Sequence, residues 1–136
     1  MVNLDPYLFF KGECREAMNF YKGIFGGKLD ISEYGDNPGP ESGGQEMAGK
    51  VMHALLSGGD IRLMASDSSG ASDKMAKVEL SLSGEDESTL RKYWDALAEG
   101  GNVRTPLEKA PWGDSFGMLT DKYGTDWMVN ITAKKA

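Results

Sequence analysis

The fold is decided by residues 6–30, which read PYLFFKGECREAMNFYKGIFGGKLD. Tyr7–Phe10 is a short apolar run between a proline and a glycine, which is typical of a β-strand. From Glu13 the period changes to that of an amphipathic helix, with Ala17 and Tyr21 on one face, and a glycine pair ends the helix. This stretch therefore predicts a strand, a helix and the start of a second strand.

The remainder of the first half predicts three strands, at residues 29–34, 50–57 and 61–65. A tight turn at residues 58–60 joins the last two strands into a hairpin. Residues 35–49 contain five Gly and two Pro, and we interpret them as a mobile loop that is a candidate lid.

The second half repeats this order of elements. Residues 77–83 alternate apolar and polar side chains as a strand does, and residues 85–99 predict a helix capped by Ser83 or Gly84. A second glycine pair follows at 100–101, and then strands at 103–107, 116–120 and 126–132. We therefore predict an α+β fold of two βαβββ modules in one domain, about 1–66 and 77–136, joined by a polar linker at about 67–76.

Composition excludes several classes of partner. A formal net charge of −6, a pI near 4.8 and scattered Lys and Arg argue against nucleic acid. No stretch approaches the roughly 20 apolar residues of a membrane span. Cys14 is the only cysteine, so an intramolecular disulfide is impossible and a cytoplasmic location fits best. Cys14 opens a helix, where the dipole lowers a thiol pKa, but we favour a structural role for it.

Several motifs of the repeat resemble a known family. They are Pro6–Phe10, Glu16-Ala17 with Phe20-Tyr21, Phe25-Gly26-Gly27, His53-Ala54, residues 63–67, Trp112-Gly113, Phe116-Gly117, residues 121–124 and residues 127–130. In this order they resemble the glyoxalase/bleomycin-resistance/dioxygenase (vicinal oxygen chelate) superfamily, and its PhnB-like branch in particular. The resemblance implies curved mixed sheets around one cavity, helices on the outside, and a homodimer.

The same resemblance permits a prediction about metal. Metal-using members bring His or Glu from the first and last strands of each module to one divalent ion. In this chain those positions fall on Pro6 or Tyr7, residues 77–79, Leu63 or Met64, and Met128. Only Glu79 among them is a common ligand, and His53 is the only histidine. We therefore predict no metal site and no cofactor.

Strand alternation predicts which side chains face the cavity. If Val78, Leu80 and Leu82 cover the second helix, Glu79 and Ser81 point the other way. Matching Gly12 with Gly84 then places Tyr7 at the position of Glu79, and Phe9 at that of Ser81. In the last strand, Trp127, Val129 and Ile131 form the apolar face, and Trp112 lies at a strand entrance. The predicted ligand-binding residues are Tyr7, Phe9, Ser81, Trp112, Met128 and Asn130.

Two residues are candidates for acid–base chemistry. Glu79 could transfer a proton, or it could be a solvated side chain or pair with a nearby Lys. His53 belongs to the alternating set Val51, His53, Leu55, where a hydrogen-bonded structural role competes with catalysis.

Three functions follow from these alternatives. The first is a metal-independent, PhnB-like small-molecule binding protein, whose ligand is amphipathic with an aromatic or cationic part. The second is a lyase, isomerase or transferase that uses Glu79 or His53 on a small carbonyl or phosphonate-like metabolite. The third is a divalent-metal glyoxalase or dioxygenase. No Arg cluster or phosphate-binding loop supports a phosphonate substrate.

Overall fold

Each half of the chain forms a four-stranded mixed sheet with one helix packed against it. The structure is a computed structural model that describes residues 3–35, 49–68 and 78–133. The chain divides into two compact units, Met1–Ser72 and Asp73–Ala136. The predicted lid falls largely on residues 36–48, and most of the predicted linker on residues 69–77; both lie outside the described residues.

The first unit has the elements β1, α1, β2, β3 and β4 in chain order. Their bounds are β1 Tyr7–Phe10, α1 Cys14–Phe25, β2 Lys28–Glu33, β3 Val51–Ser57 and β4 Leu63–Asp67. The sheet order is β1-β4-β3-β2, with β1 and β4 parallel and the other pairs antiparallel. Asp67, which we predicted to begin the linker, is therefore the last residue of a strand.

The second unit repeats this topology. Its elements are β5 Leu80–Gly84, α2 Glu87–Ala98, β6 Asn102–Lys109, β7 Ser115–Thr120 and β8 Asp126–Ile131. The sheet order is β5-β8-β7-β6, with β5 and β8 parallel and the other pairs antiparallel. The predicted α+β fold of two βαβββ modules is confirmed. Neither helix of the described residues is long and apolar enough to cross a membrane.

Both helices are held by an apolar stripe that packs on one face of the sheet. In α1 the buried side chains are Cys14, Ala17, Met18, Tyr21 and Phe25. In α2 they are Leu90, Tyr93, Trp94 and Leu97. Burial of a side chain such as Met18, Phe25, Leu90 or Leu97 contributes on the order of 1.5–3 kcal/mol, which makes these stripes the main attachment of helix to sheet.

In each unit, the second glycine of the pair that follows the helix lies against a backbone carbonyl. A β-carbon at Gly27 would overlap the carbonyl of Ser57, and one at Gly101 would overlap the carbonyl of Thr120. Only glycine permits the backbone after each helix to lie this close to the neighbouring strand turn. These two positions therefore correspond, and they are separated by 74 residues in the sequence.

The start of α2 differs from the prediction. Its N-cap is Asp86, whose carboxylate accepts a hydrogen bond from the Thr89 N–H at 3.1 Å. The predicted caps Ser83 and Gly84 are wrong because both residues belong to β5 and pair with β8. Val78, predicted to cover α2, precedes β5 and is 59% exposed.

The correspondence between the first strands of the two units also differs from the prediction. Tyr7 lies opposite Met64 in the first unit, and Ser81 lies opposite Met128 in the second. Tyr7 therefore corresponds to Ser81, not to Glu79, and Phe9 corresponds to Ser83. The predicted match failed because Gly84 ends its strand, whereas Gly12 follows β1 and is not its counterpart.

Strand β3 breaks the expected alternation of Val51, His53 and Leu55. Val51 is 1% exposed and lies on the helix-facing side with Ala54, whereas His53 and Leu55 face the other way. A register irregularity opposite Ser32 and Glu33 causes this change.

One buried carboxylate ties the first unit together. Asp67 accepts hydrogen bonds from the backbone N–H groups of Gly12 at 2.8 Å, Cys14 at 3.0 Å and Val51 at 3.1 Å. The residue is 1% exposed. It therefore joins the end of β4 to the entry into α1 and to the start of β3, and it satisfies N–H groups that burial would otherwise leave without partners.

We expect Asp67→Ala to lower the free energy of unfolding by at least about 3 kcal/mol, because three backbone donors lose their acceptor in a buried site. Asp67→Asn keeps one acceptor oxygen but turns its amide nitrogen toward a backbone donor. Its free energy of unfolding should therefore lie between those of the unaltered protein and Asp67→Ala. Urea unfolding followed by circular dichroism measures both values.

Asp30→Ala is the matched control for these variants. Asp30 is an exposed carboxylate in β2 that contacts Lys28 at 3.6 Å, and its removal should change stability by no more than about 0.5 kcal/mol. Equal effects of Asp67→Ala and Asp30→Ala would contradict the role assigned to Asp67.

Cys14 is buried at the same helix start, and its environment opposes ionisation. Burial, and next the Asp67 carboxylate, raise the pKa of the thiol from 9.0 to about 12. This outweighs the lowering expected from the helix dipole. Because the unfolded chain loses the proton at lower pH than the folded chain, this residue makes stability fall as pH rises from about 9 to 12.

We expect native protein at pH 8 to resist iodoacetamide, since Cys14 is inaccessible and holds its proton. The same protein in concentrated urea should be alkylated stoichiometrically within minutes. Intact mass spectrometry counts the adducts. Rapid, complete alkylation of the folded protein would show that the thiol is not shielded.

Candidate functional site

The first sheet presents an aromatic surface on the side opposite α1. We call this side the first open face and define it by Tyr7, Phe9, His53, Leu55 and Met64. Tyr7 pairs in register with Met64, and Met64 with Leu55, so these side chains share one face. Tyr7 is 37% exposed and Phe9 59%.

Three of these side chains form a contiguous ring cluster. The centroids of Tyr7 and Phe9 are 5.0 Å apart, and those of Tyr7 and His53 are 5.9 Å apart. Both distances lie in the range of favourable tilted aromatic contacts. The cluster thus combines an apolar surface with a phenol hydroxyl and an imidazole, which suits a flat ligand with polar edges.

The second sheet presents a different surface opposite α2. We call it the second open face and define it by Ser81, Phe116, Met118, Met128 and Asn130. Ser81, Met128 and Met118 lie in one row across three strands, and Asn130 and Phe116 lie in the next row. This face therefore mixes flexible thioethers with an aromatic ring and a few polar groups.

Glu79 lies at one end of this face and is held by an ion pair. The Arg104 guanidinium contacts the Glu79 carboxylate, donates to the carbonyl of Leu119 at 3.1 Å and lies 3.9 Å from Asp126. Thr120 donates its hydroxyl proton to Asp126 at 2.5 Å. The carboxylate of Glu79 is thus engaged by an Arg from β6, which is closest to the predicted alternative of an ion pair, although that alternative named a Lys.

Sequence reasoning missed Arg104, because its contact with Glu79 spans 25 residues. In β6 the chain shows no regular alternation that would have assigned a face to Arg104, since two register irregularities interrupt the β6–β7 pairing. Glu79 and His53 also belong to different units, so each has to be assessed by its own surroundings.

Trp112 lies in the turn between β6 and β7 and is 64% exposed. Its ring meets Phe116 edge-on, with centroids 5.9 Å apart. Asp114 in the same turn accepts hydrogen bonds from the Ala133 N–H at 3.0 Å and the Asn130 side-chain amide at 3.1 Å. These two bonds, from Ala133 first and Asn130 second, lower the pKa of Asp114.

The structure therefore groups the predicted site residues in two sets. Tyr7, Phe9 and His53 meet in the first unit. Ser81, Met128 and Asn130 share the second open face, with Trp112 beside Phe116 at its rim and Glu79 tied to Arg104. Asp114 was missed, and its position between an aromatic residue and a strand entrance was the signal that could have found it.

These features define a protein of two βαβββ modules, each with one helix-covered face and one open face. The profile of the Glyoxalase/Bleomycin resistance protein/Dioxygenase superfamily matches residues 3–129. The chain belongs to this superfamily.

Three relatives place the chain more finely. The crystal structure of PA1353 from Pseudomonas aeruginosa is 37% identical, covers 98% of this chain and all of that one, and superposes with a TM-score of 0.82. A PhnB protein from Bacillus cereus, also provisionally named as a 3-demethylubiquinone-9 3-methyltransferase, is 29% identical over 96% of this chain and 100% of its own, with a TM-score of 0.77. Protein YjdN of Escherichia coli is 27% identical over 97% of both chains. The structural neighbours thus include PhnB-like proteins, as the resemblance predicted.

The residues at the superfamily's metal positions do not fit a divalent ion. Of the positions that the resemblance predicted, Tyr7 lies beside Met64 in the register of the paired strands, Met128 lies beside Ser81, and Glu79 is held by Arg104. A phenol, a hydroxyl and two thioethers are poor substitutes for the imidazoles and carboxylates that bind such ions, and Glu79 is the one carboxylate at a predicted position. In residues 3–35, 49–68 and 78–133, no three His, Cys, Asp or Glu side chains gather where they could hold an ion.

Proposed function

We propose that this protein is a metal-independent small-molecule binding protein that holds an amphipathic ligand with a flat aromatic part. The observation that carries the proposal is the ring cluster of Tyr7, Phe9 and His53 on the first open face. Exposed rings on a rigid strand offer a large apolar contact at little entropic cost, and they bind a second ring by stacking.

The chemistry of the paired residues on the first and last strands of each unit supports the same proposal. Tyr7 and Met64 lie side by side in the first unit, and Ser81 and Met128 do so in the second. Thioether sulfur adapts to apolar ligands of varied shape, and hydroxyls can hydrogen-bond their edges. Residues that would be unsuitable metal ligands are therefore suitable for an organic molecule.

The alternative of an acid–base enzyme has less support. Glu79 is occupied by Arg104, and the ring of His53 packs against that of Tyr7. Neither residue has a described neighbour arranged as the second half of a proton-transfer pair. We accordingly assign His53 to the wall of the binding surface and Glu79 to the ion pair.

The proposal is tested with thioflavin T, a flat aromatic cation whose fluorescence rises when it is immobilised. We expect the protein to bind this probe equally well before and after treatment with EDTA. Phe9→Ala should weaken binding about two- to thirteenfold, because a stacking contact worth about 0.5–1.5 kcal/mol is lost. Fluorescence titration gives the Kd of each variant.

Leu4→Ala controls for the loss of an exposed apolar side chain, since Leu4 is fully exposed and lies outside the open faces. Its Kd should equal that of the unaltered protein. Binding that disappears with EDTA and returns with a divalent ion would contradict metal independence, and an unchanged Kd in Phe9→Ala would refute the assigned surface.

A further inference from the structure

One row of the second open face carries acidic and neutral acceptors around an aromatic ring. Glu108, Phe116, Asn130 and Ser83 lie opposite one another across four neighbouring strands. Because directly paired residues share a face, these four side chains point to the same side of the sheet. No Lys or Arg stands in this row. Lys109, the next residue in β6, pairs with Ser115 in the adjacent row.

Asp114 fixes the orientation of the amide in this row. An ionised carboxylate only accepts hydrogen bonds, so the amide of Asn130 must turn its nitrogen toward Asp114, at 3.1 Å. The carbonyl oxygen of Asn130 then remains as an acceptor, and it has no donor within the described part of the chain. The backbone N–H of Ala133 holds Asp114 from the other side at 3.0 Å.

The aromatic rings complete the arrangement. Trp112 and Phe116 pack edge to face beside Asp114, and Trp112 is largely exposed. A ring face attracts cations, and the attraction grows when a carboxylate lies close by. The nearest Arg on this sheet, Arg104, is engaged by Glu79 and by the carbonyl of Leu119, so it offers no charge for an anion.

We propose that the second open face is a recognition site for an organic ammonium group, bound between the rings of Trp112 and Phe116, the carboxylates of Asp114 and Glu108, and the carbonyl oxygen of Asn130. The inference rests on the proposed function, because it takes the ligand to be a small amphipathic molecule. It adds that the ligand carries a positive charge. An anionic phosphonate meets acceptors and carboxylates here, and the site selects against it.

Two probes of matched shape test this site: benzylammonium and benzylphosphonate. Binding is followed by the change in tryptophan fluorescence that the probe causes; Trp112 is 64% exposed and within its reach, whereas Trp94 and Trp127, at 8% and 1% exposure, contribute a constant background. We expect benzylammonium to quench this emission saturably and benzylphosphonate to have no effect. Trp112→Leu should abolish the signal, so binding to this variant is measured by calorimetry, where we expect at least about threefold weaker affinity.

Two further variants separate recognition from folding. Asn130→Leu removes the amide but leaves the bond from Ala133 to Asp114, and Asp114→Asn removes the charge and supplies a donor that can occupy the Asn130 oxygen. Each should weaken benzylammonium binding by at least about tenfold, as expected for loss of a hydrogen bond to a charged group. Asp95→Asn, which removes an exposed carboxylate from α2, should leave the Kd unchanged.

The outcomes distinguish this inference from the proposed function. Tighter binding of benzylphosphonate than of benzylammonium, or an equal Kd in Asp114→Asn, Asn130→Leu and Asp95→Asn, would overturn the ammonium site. If Phe9→Ala still weakens thioflavin T in that case, the proposed function stands without it. If thioflavin T is insensitive to Phe9 while benzylammonium depends on Asp114, the assigned first face fails and the ammonium site stands.

Discussion

The parallel pairing of the first and last strand in each unit is the constraint on which the rest of the site depends. It places Tyr7 beside Met64 and Ser81 beside Met128, and thereby decides which functional groups meet at the β1 edge of the first sheet and at the β5 edge of the second. A shift of one residue in either pair would exchange the open face for the helix-covered face. The register therefore determines which four side chains are available to contact a ligand on the open faces.

Buried carboxylates keep this pairing in place. In the first unit Asp67 receives the backbone of the α1 entry and of β3, so the end of β4 cannot slide against its neighbours. In the second unit Asp121 accepts from the N–H groups of Tyr123 and Thr125 and from the indole N–H of Trp127. This bond network fixes the β7–β8 turn and anchors the largest fully buried side chain of the unit. Both carboxylates are structural residues, because they fix the positions of the strands that carry the open faces.

Sequence periodicity predicted the elements well, because amphipathic helices and alternating strands carry their own signal. The glycines, however, allowed two alignments of the first half of the chain with the second. The glycine pairs at 26–27 and 100–101 are 74 residues apart, whereas Gly12 and Gly84 are 72 apart. The spacing of 74 residues is correct, because Gly27 and Gly101 both lie too close to a backbone carbonyl for any other residue. With this spacing, Tyr7 corresponds to Ser81. Sequence alone does not tell a glycine required by a close backbone contact from one in a strand or turn.

The side-chain contacts of the candidate site were less predictable, for a physical reason. Arg104 reaches Glu79, and Asp114 reaches Asn130, across the sheet and not along the chain. Such contacts depend on register irregularities and turn shape, which residue patterns do not encode. Strand alternation predicted the face of Tyr7 and Phe9, and a position between a proline and a glycine at a strand entrance drew attention to Trp112, because these signals need no knowledge of contact partners.

The proposed function requires that the paired residues Tyr7, Met64, Ser81 and Met128 contact an organic ligand and do not hold a metal ion. Native mass spectrometry with elemental analysis, on protein purified without chelators, tests it most directly, and the same spectra give the number of chains in the assembly. We expect Ni, Zn, Fe and Mn to be far below one ion per chain, with any bound mass being that of an organic molecule. One tightly held metal ion per chain, retained through buffer exchange, would contradict the claim and identify a ligand set that includes residues other than Tyr7, Met64, Ser81 and Met128.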